Sequence, residues 1–121
     1  DYGIVPGLNL HWIWDGPLAE RAISEDPPIV RRYSAEERAQ LAGGNAADWG
    51  RESWAISRGF IYPQVFGCDP CEGELPNEVA LAQDLLDRSI PIARRRVLQA
   101  GLRMAEYLDT AFAPGPLPRR D

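Results

Sequence analysis

The strongest constraint on this chain is the long apolar stripe in its second half. Between Pro76 and Pro91, Val79, Ala82, Leu86 and Ile90 recur at three- and four-residue spacing, and beyond Pro91 the pattern resumes through Val97, Leu98, Leu102, Ala105, Leu108 and Phe112. Apolar residues at that spacing line one face of an α-helix, whereas the alternation that a half-buried strand needs is almost absent from the sequence. The chain therefore reads as all-α. The stripe predicts helices over 77–89 and 92–111, split or kinked at Pro91, because proline removes a backbone donor and crowds the preceding turn.

The first half is punctuated in the same way. A helix is expected over roughly 7–24, ended by Asp26-Pro27-Pro28. Ser34 with Glu37 forms a capping box that opens a second helix, stopped at Gly43-Gly44. Asn45 or Asp48 caps a third, which runs to about Tyr62 before Pro63. Residues 63–76 read as a loop, 1–6 as a lead-in and 113–121 as an extended, proline-rich tail. The 8–22 and 46–60 segments are the partners expected to cover the apolar face of the later helices.

Composition sets limits on function. Hydrophobic residues make up 45% and charged residues 26%, which is globular rather than disordered, and 121 residues suffice to bury a core. No apolar run approaches 18 residues, so no membrane span is encoded. A net charge of −5 argues against a broad basic surface that tracks duplex DNA, but not against phosphate binding by a metal ion. All thirteen basic residues are arginine, for which we have no physical account.

Chemistry points first to His11, the single histidine, and to Asp15 four residues later. On a helix this spacing puts imidazole and carboxylate on one face, where both can close on one zinc ion at about 2.0–2.2 Å. The plainer reading is a helix-end histidine held by a carboxylate. Asn9 stands where it can cap the helix or support the ligands from behind, and Trp14 where it can hold the ligand helix in place. Cys68 and Cys71 sit in the loop; neither a redox strand-to-helix context nor a second pair for a zinc ribbon accompanies them. They read as structural disulfide candidates, joined to each other or to a segment outside this sequence, and so point to a secreted or periplasmic protein. Arg94, Arg95 and Arg96 should fan over a solvated helix face. Trp49 and Trp54 read as core, and Glu52 as a hydrogen-bonding partner inside the bundle rather than a catalytic acid.

The run Asn9-Leu10-His11-x-x-Trp14-Asp15 resembles the last metal-ligand motif of the zinc-dependent single-strand nucleases of the S-one/P-one family. The likeness continues in order through Asp48-Trp49-Gly50-Arg51-Glu52-Ser53-Trp54-Ala55, Tyr62-Pro63 and the Ala100-Gly101-Leu102-Arg103-Met104-Ala105-x-x-Leu108-Asp109 helix, covering roughly residues 8 to 112. It implies a helical domain of the phospholipase C/single-strand nuclease type, represented over 1–121 by its C-terminal portion. It also implies three zinc ions in the parent enzyme, with His11 and Asp15 holding the one that binds phosphate and stabilises the leaving 3′-oxygen. The other ligands, and the activation of water, would come from the missing N-terminal part of the same domain.

The implied reaction is hydrolysis of single-stranded DNA or RNA to 5′-nucleotides, with removal of 3′-phosphates as a further activity. With at most one partly liganded zinc, the 121 residues alone are expected to be inactive. A zinc-dependent phospholipase C is the alternative within the same architecture, where the acid corresponding to Asp15 is typically glutamate. A non-catalytic helical fragment or interaction module is the alternative outside it.

Overall fold

The computed structural model describes residues 9–67, 74, 76, 78–113 and 115. Four helical elements, α1 to α4, carry them, and no strand occurs among the described residues. The all-α expectation holds at that level.

Helix α1 spans 10–24 as Leu10–Ile13, a wider π turn over Trp14–Leu18, and Ala19–Ser24. Pro17 explains the widening: it has no N–H to offer the carbonyl of Ile13, and its ring needs the space a tighter turn would occupy. Helix α2, Ala35–Ala42, opens on the expected Ser34/Glu37 capping box and ends at Gly43. Replacing Ser34 by alanine removes the acceptor of the Glu37 N–H bond at 3.1 Å. The expected cost is about 1 kcal/mol in chemical denaturation, with helical content otherwise kept.

Helix α3 spans 46–66, made of Ala46–Ile56, a second π turn over Ser57–Ile61, and Tyr62–Phe66. Asn45 caps it and Asp48 completes a reciprocal box. The helix was expected to stop before Pro63; instead it passes through and ends at Gly67, whose φ of 71° suits glycine. The reason parallels that at Pro17. The carbonyl facing Pro63 belongs to Gly59, inside the π turn, where the widened backbone tolerates a missing donor.

Pro91 calls for the larger correction. Residues Gln83–Phe112 form one continuous helix, α4, and residues 78–82 precede it without helical structure. Pro91 and Asp87, whose carbonyl loses its donor, are both exposed, so water can satisfy that group and the helix need not break. The buried face also differs from the expected stripe. It runs through Leu85, Leu86, Ser89, Ile90 and Ala93, then turns polar at Gln99 and Arg103. Leu98 and Leu102 are half-buried, whereas every residue from Met104 to Phe112 is exposed.

Among the described residues, Leu18, Leu86 and Ile90 form one buried apolar cluster, with Ile13, Trp14 and Leu81 packed against it. Helices α1 and α2 lie close on α4. Arg94 fastens the end of α1 by donating from one Nη1 to the carbonyls of Ala22 at 2.9 Å and Glu25 at 2.7 Å, groups a helix C-terminus leaves without internal donors. Helix α3 is tied to α4 by longer reaches, including Arg88 Nη2 to Gln64 Oε1 at 2.9 Å.

Candidate functional site

His11 and Asp15 are brought together at the start of α1. Asn9 begins the helix by accepting the Trp12 N–H at 2.8 Å, so Asn9 acts as the cap. His11 Nε2 lies 3.0 Å from Asp15 Oδ2, with side chains 85% and 70% exposed. Leu10, Trp14 and Leu18 take the inward face at four-residue spacing, Leu18 and Trp14 belonging to the core cluster. The His11–Asp15 pair sits one position further round, about 100° away, and this turns it toward solvent. His11 borders a groove with mostly apolar walls, and Asp15 does not line that groove.

A tetrahedral zinc with bonds of 2.0–2.2 Å would hold its nitrogen and oxygen ligands about 3.4 Å apart. The observed pair needs to open by a few tenths of an ångström to take such an ion, a small motion for two exposed side chains. Among the described residues no group of three or more His, Cys, Asp or Glu side chains could hold a metal ion. Cys68 and Cys71 lie outside the described residues.

A second polar centre joins α3 to α4 and was only partly legible. Glu52 Oε2 accepts from Arg96 Nη1 at 2.5 Å and from Arg103 Nη2 at 2.8 Å; Oε1 accepts from Arg103 at 2.9 Å. Arg96 also donates to Gln99 Oε1, Ser53 Oγ and the Trp49 carbonyl. The Arg103 side chain is 7% exposed and its guanidinium lies 4.8 Å from the Trp49 ring centroid. Trp49 in turn donates to the Gly43 carbonyl at 3.0 Å and meets Tyr107 edge-on. The hydrogen bond from Arg96, and then that from Arg103, hold the Glu52 carboxyl below its ordinary range.

Two of the three consecutive arginines are therefore structural, contrary to the solvated face expected for them. Arg94 caps α1 and Arg96 crosses to α3, while Arg95 is exposed. Most of their partners lie outside α4, which no local periodicity reports. Trp54 also departs from expectation. It is 59% exposed, with the Arg58 guanidinium 5.1 Å from its ring centroid.

Between α3 and α4 runs an open groove. The part beside His11 measures about 330 Å³ and includes Trp14, Ser53, Ser57, Tyr62 and Ile92 in its lining. A continuation of about 510 Å³ shares Ile56, Ile92 and Arg96 with it and reaches Arg95 and Gln99. None of the helices of the described residues is long and apolar enough to cross a membrane. No protein-family model, no curated protein sequence and no solved structure matches the chain.

Proposed function

We propose that this chain supplies one arm of a zinc site in a phosphodiesterase acting on single-stranded nucleic acid, as the C-terminal portion of a phospholipase C/nuclease-like domain. The observation that carries the reading is the His11–Asp15 pair, one nitrogen and one oxygen donor 3.0 Å apart on a capped helix. Its support beyond geometry is the ordered set of sequence motifs around residues 9–15, 48–55 and 100–109.

When bound, zinc supplies a positive charge for the scissile phosphate and the leaving oxygen. His11 offers an imidazole nitrogen and Asp15 a carboxylate oxygen to such an ion. Asn9 fixes the first turn that carries them, and Trp14, packed on the core, fixes the rotation of α1. A stable zinc site needs one or two ligands besides these two. Asp15 favours the nuclease over the phospholipase C alternative, since a longer glutamate is typical there.

Zinc titration tests the reading directly. The 121-residue chain should bind one zinc weakly, with displacement of the His11 ring resonances in NMR. It should hydrolyse no single-stranded DNA. His11→Ala should abolish the zinc response. An unchanged zinc response in His11→Ala, or hydrolysis by the chain alone, would leave the site assignment without support and favour the non-catalytic helical module.

A further inference from the structure

Gln99, on the wall of the α3–α4 groove, carries a donor that the fold does not use. Its side chain lines the groove and the residue is only 5% exposed. An arginine can only donate, so the Gln99 atom that meets Arg96 Nη1 at 2.8 Å is Oε1, and Nε2 is turned away from it. That Nε2 meets no acceptor among the described residues. A donor so deeply placed is costly to leave unanswered. One helical turn earlier stands Arg95, which is exposed, lines the same stretch of groove and makes no hydrogen bond or ion pair among the described residues. The other charges of the wall are already matched: Glu52 accepts from Arg96 and from Arg103. Arg95 is therefore the lining charge left to meet an anion.

We propose that this groove binds a medium-chain aliphatic carboxylate, with its head on Arg95 and Gln99 and its tail along the isoleucine wall. Side chains four apart on a helix share a face, with Cβ atoms about 5–6 Å apart. A guanidinium and an amide N–H so placed can each take one oxygen of a single carboxylate, the guanidinium by a charge-assisted bond. Ile56 and Ile92 line both parts of the groove and lead away from this head site toward Tyr62. Small-molecule sites combine such apolar walls with a few converging polar groups. A peptide would bring backbone N–H and C=O groups against the isoleucines, where nothing answers them. A polyanion would bring more charge than one free guanidinium can meet.

The test is an NMR titration of the 121-residue chain with decanoate near neutral pH, in EDTA so that no metal takes part. The Gln99 side-chain amide and the Ile56 and Ile92 methyl resonances should move together and saturate. Decanol, which lacks the charge, should bind at least tenfold more weakly. Hexanoate, with four fewer methylenes to bury, should do the same. Arg95→Gln should weaken decanoate binding about tenfold, read from the isoleucine methyls. Gln99→Glu keeps an acceptor for Arg96 but replaces the free donor by a negative charge, and should weaken binding more than tenfold. Arg32→Gln, the same loss of charge at an exposed loop arginine, should change it less than twofold.

Decanol binding as well as decanoate would overturn the head site, and hexanoate binding as well as decanoate would overturn the tail. Equal losses in Arg95→Gln and Arg32→Gln would replace the site by diffuse electrostatics. Decanoate that leaves the Gln99 amide unmoved would also overturn the proposal. The ligand comparisons use the parent chain, so they stand whatever the variants do to folding, and circular dichroism checks each variant against the parent.

Discussion

Replacing Glu52 by alanine should be the most destabilising single change on the α3–α4 seam, lowering stability by about 2–3 kcal/mol in urea denaturation. The reason is the charge it leaves behind. Arg103 is 7% exposed and Arg96 24% exposed, and Glu52 is the carboxylate that answers both. Removing one partner of a buried pair commonly costs about 3–5 kcal/mol, because the other charge stays buried without compensation. Glu52 itself is 39% exposed, so water can partly replace it, which places the effect at the lower end. Glu52→Gln should be less severe, since an amide still accepts one hydrogen bond. Adding Arg103→Met to Glu52→Gln should recover much of the loss by removing the stranded cation. A double variant no more stable than Glu52→Ala would show that the cluster acts through packing rather than charge.

The same cluster gives stability an acid limit. Folding favours ionised Glu52, chiefly through Arg96 and then Arg103. Glu37 behaves alike: Arg31 and then the Ser34 backbone N–H bring its pKa from near 4.5 to about 2. Lowered acid pKa values mean stability that is complete above the ordinary carboxylate range and drains as protons bind the folded state. The urea midpoint should therefore fall as pH drops from about 4.5 towards about 2. Glu52→Gln should remove part of that slope.

What the sequence discloses and what it hides divide along the reach of each interaction. The boxes at Ser34/Glu37 and Asn45/Asp48 are closed within one turn, so their residues alone announce them. The His11–Asp15 approach is likewise a four-residue event. The prolines misled because their effect depends on where the opposing carbonyl points. Pro91 faces solvent and Pro63 follows a widened turn, so neither ends its helix. The arginines misled for a different reason: Arg94 and Arg96 reach residues on α1 and α3, and periodicity on α4 marks only the side they leave from. The apolar pattern over Ala105, Leu108 and Phe112 is helical as read, yet nothing among the described residues covers it.

On the proposed zinc reading, His11→Ala should lower the rate of single-stranded DNA hydrolysis by roughly a hundredfold or more, since loss of a proposed direct ligand should exceed the 10–100-fold typical of outer-shell changes. Zinc content should fall by one ion per molecule. The fold should hardly respond, because a side chain 85% exposed contributes little to packing, and changes of that kind usually stay within about 0.5 kcal/mol. Asp15→Ala should behave in the same way for the same reason, its carboxylate being 70% exposed. Asn9→Ala separates position from ligation. It removes the acceptor of the Trp12 N–H, frays the turn that carries His11, and should weaken zinc affinity while leaving the full metal count at saturation. The decisive comparison is therefore metal content against rate in all three variants, with urea stability measured alongside. A His11→Ala enzyme that keeps its zinc and its rate would return the pair to an ordinary hydrogen bond at the start of a helix.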